Sequence, residues 1–359
     1  MRLIEMTGTT AGGVRSHLID VLGLLGADHQ VALLAPTSVI DSLTDAELAG
    51  ARTVPIQVST RPSARDAASL ALVRRWARSC DVIHAHTLRA GALAVLACIG
   101  LTDPPRIVVT LHNMPVGSTA VRATGEALFR IVASGADRIL GVSPDLVAKA
   151  ESLGALADLA IVPAAPDPTI APTPARSQSP TLLTVGRLSH QKGLDLLLDA
   201  AEILVQSQPK LQWLVAGDGP MREALRAETE HRNLPVELLG RRDDIASLLR
   251  SATLVVQTSR WEGQPVAIQE ALHAGAAIVA TDVGGTGVVL GEDYPLVEPS
   301  AEALAAAIDI LLDDDTLREE REKMSIKRAS QLPTLAGLAD QLTNELRLFP
   351  PLQSGAQTR

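Results

Sequence analysis

Aromatic side chains are scarce in this chain: among 359 residues there are three Trp, two Phe and one Tyr. A row of stacking platforms for bases or for an extended glycan needs more than that. Positive charge is in deficit as well, with 32 basic against 41 acidic residues and a formal net charge of -9. A protein that tracks a phosphate backbone needs a basic footprint, so nucleic acid is excluded as a partner. Cysteine is limited to Cys80 and Cys98, which make neither a disulfide framework nor a cysteine zinc site. Both lie in Ala/Leu-rich surroundings and are expected to be buried, reduced thiols of a cytosolic protein. Long apolar runs are missing too. The longest uncharged one, Ala90–Leu101, falls well short of the ~20 residues that span a bilayer, and Met1–Met6 reads as a strand rather than a signal peptide. These absences lead to the expectation of a cytoplasmic protein, at most peripheral to the inner face of a membrane.

Ordinary core material is plentiful. Hydrophobic residues make up 46% of the chain, enough for a folded protein, and the length fits about two domains at ~150 residues each. Short β-rich apolar runs alternate with helical patterns. In the first half the expected strands are Arg2–Met6, Val31–Ala35, Arg52–Val58, Asp81–His86, Arg106–His112, Arg138–Val142 and Ala160–Val162. Helical patterns such as Arg15–Gly26, Arg65–Ser79 and Ala120–Ala133 lie between them. Apolar strands joined by helical crossovers predict parallel sheets covered on both faces. A proline-dense stretch around 163–180 breaks the pattern and reads as an extended connector. The alternation then restarts with strands at Thr181–Val185, Leu211–Ala216, Val236–Leu239, Thr253–Gln257, Ala276–Ala280 and Pro295–Glu298.

The most informative segment runs from Trp261 through Glu262, Gly263, Gln264, Pro265 and Val266 to Glu270, directly after an expected strand. Pro265 suits the first position of a helix, where its missing N–H is not needed. The free N–H groups of Val266, Ala267 and Ile268 then form an anion site. Glu270 lies five residues beyond Pro265, about 7.5 Å along the axis at 1.5 Å per residue. That is close to the span between the diphosphate and the ribose of one nucleotide. A carboxylate there can accept hydrogen bonds from both vicinal ribose hydroxyls. The second segment, Gly186 through Arg187, Leu188 and Lys192 to Gly193, follows the first strand of the second half. Arg187 offers a planar fork to phosphate oxygens and Lys192 a compact point charge. A cation at a helix start opposes the macrodipole and calls for an anion nearby. Strand carboxyl ends are where doubly wound sheets bind ligands.

Taken together, Gly186-Arg187-Leu188 with Lys192-Gly193, Ala216-Gly217-Asp218-Gly219-Pro220, the Glu262/Glu270 pair and Thr281-Asp282-Val283-Gly284-Gly285 resemble glycosyltransferase family 4. The resemblance covers nearly the whole chain. It implies an α/β chain of the GT-B fold, two facing Rossmann-like doubly wound domains with a cleft between, and a C-terminal helix that returns to the first domain. The expected division is 1–165 for the acceptor-binding domain, 166–180 for the linker and 181–332 for the nucleotide-sugar domain. The terminal helix then takes 333–350 and a flexible tail 351–359. The implied activity is retaining transfer of a sugar from a nucleotide-diphosphate sugar, UDP- or GDP-sugars being the expected donors. The acceptor is a hydroxyl of a glycan, lipid-linked or small-molecule compound, in cell-envelope, exopolysaccharide or glycoconjugate synthesis. By the resemblance, Arg187 and Lys192 hold the diphosphate, Glu270 the ribose and Glu262 the transferred sugar, with the base against the backbone near Arg241. Gly263, Gln264, Pro265 and Val266 complete the donor loop. No cofactor and no metal are implied, because fixed cations and a helix N-terminus can stabilise the leaving diphosphate.

The first half is quieter. Gly12 and Gly13, between the first strand and helix, let backbone approach a donor phosphate or sugar closely, or serve a tight turn. His112, with Asn113 beside it, resembles the family's histidine on the acceptor side and is a candidate catalytic residue beside Glu262, Arg187 and Lys192. His84 and His86 share a strand face and read as structural. A metal site built from His84, His86 and His112 lacks a carboxylate at a recognised spacing. Gln264 stands where the family commonly has Phe. The run Asp313-Asp314-Asp315 ends an Ala/Leu helix and reads as a solvated helix end. The segment Arg61–Arg78 holds Arg61, Arg65, Arg74, Arg75 and Arg78 against a single acid, Asp66. It reads either as an ordinary surface helix or as a basic amphipathic helix touching an anionic membrane. Rival readings are a non-catalytic partner subunit of the same fold and a nucleotide-sugar epimerase or hydrolase. A nicotinamide oxidoreductase is disfavoured, because no Gly-x-Gly-x-x-Gly follows the first strand.

Overall fold

The computed structural model describes residues 1–8, 10, 12–58, 64–115, 119–164 and 179–348. The chain divides into two compact units, Met1–Val162 with the stretch from Pro333 onward, and Pro163–Leu332. The first unit begins with β1 (Arg2–Thr7), α1 (Gly13–Gly26), β2 (Gln30–Ala35), two single turns α2 (Thr37–Ile40) and α3 (Asp45–Leu48), and β3 (Arg52–Pro55). It continues through α4 (Ala64–Ala77), β4 (Val82–His86), α5 (Leu88–Cys98), β5 (Arg106–Leu111), α6 (Thr119–Gly135), β6 (Arg138–Gly141), α7 (Pro144–Ser152) and β7 (Ala157–Leu159). The seven strands form one sheet in the order β3-β2-β1-β4-β5-β6-β7. Every pairing is parallel, as continuous apolar strands with helical crossovers require. The strand order reverses direction between β1 and β4, so that pair marks the switch point where such sheets open a crevice at their carboxyl ends.

The second unit contains β8 (Thr181–Val185), α8 (Leu194–Ser207), β9 (Gln212–Ala216), α9 (Arg222–His231), β10 (Val236–Gly240), α10 (Ile245–Ser251) and β11 (Leu254–Gln257). After these come α11 (Val266–His273), β12 (Ile278–Ala280), α12 (Thr286–Leu290), α13 (Ala301–Asp313) and α14 (Asp315–Ala329). Its five-stranded parallel sheet is ordered β10-β9-β8-β11-β12, with the switch point between β8 and β11. Two apolar layers cover the sheet. One is built by α8 and α13 around Trp213, Leu197 and Ile308, the other by α11 and α12 around Leu272, Ile278 and Val289.

The final helix, α15 (Leu335–Leu346), returns to the first unit. Gln341 bridges two backbone groups there, accepting from the Ile161 N–H at 2.8 Å and donating to the Leu159 carbonyl at 2.9 Å. Arg106 donates to the Glu345 carbonyl at 2.7 Å, and Arg138 pairs with the Glu345 carboxylate at 2.9 Å.

Several expected elements shift. The expected strand Ala160–Val162 lies earlier, at Ala157–Leu159, because pairing to β6 runs out when the Ile161 N–H turns to Gln341. Pro295–Glu298 is no strand. Only Val297 bridges Thr281 in parallel, since Pro295 has no N–H to give a ladder. The expected strand Arg52–Val58 stops at Pro55, and Arg106–His112 stops at Leu111. Cys98 is buried as expected, but Cys80 is only half-buried, and burial raises the two thiols to about 11 and about 12 respectively. Neither is a nucleophile near neutral pH. Within the run Asp313-Asp314-Asp315, Asp314 caps α14 by accepting from the Leu317 N–H at 2.9 Å. The linker 166–180 and the tail 351–359 fall largely or wholly outside the described residues.

Burial raises the Asp20 carboxyl, on α1, to about 6. A carboxyl that is harder to ionise folded than unfolded loses stability as pH climbs from its unfolded pKa through 6. Asp20→Asn is therefore expected to raise Tm at pH 7.5, with the gain vanishing by pH 4. Calorimetric scans of both proteins across that range check it.

Candidate active site

The loops that follow β8, β9, β11 and β12 all leave the same edge of the second sheet, because parallel strands share a carboxyl end. The loop after β8 ends in a single 3-10 turn, His190–Lys192, and then Gly193 at φ +59° opens α8. A β-carbon on Gly193 would lie 2.1 Å from the Thr258 carbonyl oxygen, so only glycine lets the β8 and β11 loops touch there. Thr258 Oγ1 donates to the Lys192 carbonyl at 2.8 Å, and Gln191 donates to the Trp261 carbonyl at 3.0 Å. Lys192 is thereby delivered to the β11 loop. Its Nζ donates to Glu262 Oε1 at 2.5 Å, and Ser259 Oγ donates to the same oxygen at 2.5 Å. Glu262 is 5% exposed, so these charge-assisted bonds replace the water it has lost.

Arg187, on the same β8 loop, is exposed and makes no ion pair among the described residues. Beside it, Gly219 packs so tightly that a β-carbon would lie 2.4 Å from the Leu188 carbonyl. A small cavity under these loops is lined by Lys192, Gln257, Ser259, Pro265 and Ala267, at the β8/β11 switch point. Arg241 follows β10 and is exposed.

Pro265 sits one position earlier than its sequence suggests. It is the N-cap of α11, not the first helical residue. As a result the Ile268 N–H donates to the Pro265 carbonyl at 3.1 Å and is not available to an anion. The N–H groups of Val266 and Ala267 have no partner among the described residues and remain the donors at this helix start. Gly263 is partly exposed, Gln264 is buried, and Glu270 is partly exposed one turn into α11. The structure thus brings Arg187, Lys192, Glu262, Gly263, Gln264, Pro265, Val266 and Glu270 onto adjoining loops and one helix.

In the first unit, Gly12 is the N-cap of α1 at φ +56°, with its carbonyl accepting from Arg15 and Ser16. No atom lies within 4 Å of where its β-carbon would be. The backbone conformation, rather than crowding, is what requires glycine there, and Gly13 begins the helix. His112 is buried just past β5, with Asn113 exposed next to it. His112 packs in a cluster with His84 and His86 from β4, which the sequence grouped with it, and with His17 from α1 and Glu5 from β1, which the sequence did not bring in. Glu5 is fully buried and lies 3.0 Å from His84 Nδ1 and 2.8 Å from His86 Nε2. The other ring nitrogen of His84 lies 2.8 Å from Thr110 Oγ1. Burial, reinforced by the neighbouring rings, holds His17, His86 and His112 well below the ordinary imidazole value. His17 Nδ1, His86 Nδ1 and His112 Nε2 are buried without a hydrogen-bond partner, a cost of about 1–3 kcal/mol for each such atom. The grouping weighed and set aside from sequence, His84 with His86 and His112, is not the compact one: both His84 nitrogens are engaged, and it is His17 that lies with His86 and His112.

Two family descriptions match the chain, Glycosyltransferase Family 4 over residues 11–169 and Glycosyl transferases group 1 over residues 167–330. The phosphatidyl-myo-inositol mannosyltransferase of Mycobacterium tuberculosis is 30% identical over 331 residues, spanning 86% of each chain. The chain belongs to glycosyltransferase family 4. One component of human phosphatidylinositol N-acetylglucosaminyltransferase is 35% identical over 158 residues, which is 42% of this chain and 33% of the human one. Among solved structures, Anabaena Alr3699/HepE in complex with UDP superimposes with TM-score 0.79 at 20% identity, covering 97% of this chain and 100% of that one. The protein is thus a glycosyltransferase of the GT-B fold, and the loops around Lys192 and Glu262 lie within the part matched as group 1.

In this glycosyltransferase, Lys192→Met would strand a buried carboxylate with only Ser259 as partner. The expected loss is roughly 1–3 kcal/mol. Adding Glu262→Gln to the same chain is expected to recover part of it, because the stranded charge is then gone. Urea unfolding followed by tryptophan fluorescence reads both, and equal losses in the single and double variants would exclude the coupling.

Proposed function

We propose that this glycosyltransferase takes a nucleotide-diphosphate sugar as donor and transfers the sugar with retention. The observation that carries the reading is the Lys192–Glu262 pair at the β8/β11 switch point, 2.5 Å long, with Arg187 on the same β8 loop exposed and without an ion pair among the described residues. A fixed cation already held by a carboxylate, with a second cation and the helix start of α11 nearby, suits a ligand with both phosphate and hydroxyl groups. As the bond from sugar to phosphate breaks, negative charge grows on the diphosphate. Arg187, Lys192 and the N–H groups of Val266 and Ala267 stabilise that charge without a metal ion at the diphosphate. Glu270 receives the ribose hydroxyls, Arg241 flanks the base, and Glu262 holds a hydroxyl of the transferred sugar. Glu262 Oε1 is committed to Lys192 and Ser259, which fits an orienting role better than a nucleophilic one. Retention then proceeds on one face of the sugar, with the departing phosphate taking the acceptor proton. Within the first unit, His112 and Asn113 serve the acceptor side, and the backbone at Gly12 and Gly13 is open to close approach by a donor phosphate or sugar. Anabaena Alr3699/HepE, similar in fold, is known in complex with UDP, which supports a nucleotide donor.

For the acceptor, the best-supported class is a lipid-linked hydroxyl compound. Two of the similar enzymes are named for phosphatidylinositol. No described helix is long and apolar enough to cross a membrane, so such an acceptor is reached from the surface. Of the arginines in 61–78, Arg61 and the side chain of Arg65 fall outside the described residues. Arg74 is spent internally, donating to the Ala97 and Ile99 carbonyls at 2.8 and 2.6 Å. Arg75 and Arg78 are exposed and are the cations left for an anionic headgroup layer.

Calorimetric titration with UDP, GDP, ADP and TDP in EDTA tests the donor site. One diphosphate is expected to bind, and Glu270→Ala to weaken it at least tenfold, about 1.4 kcal/mol. Binding by none of them, or full affinity in Glu270→Ala, overturns the donor reading. Sedimentation with phosphatidylserine-containing vesicles tests the membrane reading. The unaltered protein is expected to pellet at low salt and the Arg75→Gln/Arg78→Gln variant to stay largely in solution.

A further inference from the structure

The histidine cluster of the first unit has a geometry that the donor reading does not need. Its three members come from three elements that meet only in the folded sheet. His86 ends β4, His112 follows β5, and His17 lies in the second turn of α1, which itself follows β1. All three therefore sit at the carboxyl ends of the central strands, next to the β1/β4 switch point. Their rings pack edge-on or stacked, with centroids 5.2 to 5.8 Å apart. One ring nitrogen of each lies within 4.8 Å of the others.

We propose that His17, His86 and His112 form a three-histidine site for a divalent transition-metal ion of the zinc class. The donor atoms follow from the hydrogen bonds. His86 Nε2 faces Glu5 at 2.8 Å; a ring that donates there keeps its lone pair on Nδ1, the nitrogen without a partner. A carboxyl that holds a histidine from behind, fixing its tautomer and ring orientation, is the usual support of a metal-bound imidazole. His17 Nδ1 and His112 Nε2 are the other two buried nitrogens without partners. The second compact group, Glu5 with His84 and His86, is closed on itself: its atoms already bond one another, and His84 is held from its far side by Thr110. It supports the site and is not the site.

The donor set selects the ion. Three neutral imidazoles and no carboxylate in direct reach disfavour magnesium and calcium, which demand oxygen ligands. They suit zinc, cobalt, nickel or copper. Three protein ligands leave a fourth tetrahedral position for water or for an oxygen of a bound compound. Metal–nitrogen bonds of about 2.0–2.1 Å place tetrahedral ligand atoms roughly 3.4 Å apart, so small side-chain rotations close the remaining distance. All three ligands belong to the first unit, whereas Arg187, Lys192, Glu262 and Glu270 belong to the second.

Cobalt titration of the tag-free, full-length protein after chelator treatment decides the matter. One equivalent of Co2+ is expected to bind with the visible bands of four-coordinate cobalt, and Zn2+ to displace it. His17→Gln and His86→Gln are expected to lose these bands, and Glu262→Gln to keep them. Circular dichroism confirms that each variant is folded. Absence of four-coordinate bands in the unaltered protein overturns the site, whatever the variants do. So do bands that persist in folded His17→Gln. Neither readout uses nucleotide or turnover, so a failure here leaves the donor reading standing.

Discussion

The second unit's site hangs on one buried carboxylate. Glu262 comes from the loop after β11, yet it takes Lys192 from the loop after β8, Ser259 from its own loop and, through its carbonyl, the Gly285 N–H from the loop after β12. An unpaired carboxylate at this depth would cost several kcal/mol, so the three loops are held in the arrangement that satisfies it. The glycines that flank the contact allow that arrangement. A β-carbon on Gly284, at φ +53°, would lie 2.0 Å from the Glu262 carbonyl oxygen, as one on Gly193 would crowd Thr258. Side-chain chemistry and backbone approach are therefore one constraint. A substitution at either glycine moves the charge pair without touching it.

The same constraint explains why this half was legible in the amino-acid sequence. Arg187 and Lys192 lie within one short loop, and Glu262 through Glu270 within another loop and the helix it opens. The strand-loop-helix rhythm put each at a strand's carboxyl end. Local spacing carried the geometry, and where it slipped it slipped by one residue: Pro265 caps α11 from outside. The histidine cluster was legible only in part: His84, His86 and His112 could be grouped from strand pattern, but Glu5 and His17 could not. Glu5, His17, His86 and His112 are distant in sequence, and the sheet order β1-β4-β5, with Glu5 opposite His84 and His86 opposite Thr110, is what assembles them. One signal was available. Glu5 interrupts the apolar run Leu3–Met6, and a carboxyl in a strand buried on both faces must find partners. The shift of β7 has a different cause. At Leu159 and Ile161 the backbone's bonds go to Gln341 of a helix some 180 residues away, which no local pattern encodes.

The two sheets reach opposite electrostatic solutions at equivalent places. At the β8/β11 switch point stand two basic side chains, Lys192 paired to Glu262 and Arg187 open to solvent. Cations so placed suit a ligand on which negative charge accumulates. At the β1/β4 switch point, burial holds the imidazoles neutral, and the one carboxyl present is turned toward histidines. Neutral nitrogen lone pairs are suited instead to a metal ion or to a proton donor. One architecture thus presents two different sets of side chains at its strand ends. What differs is which side chains each sheet delivers to its carboxyl end and how much water it leaves them.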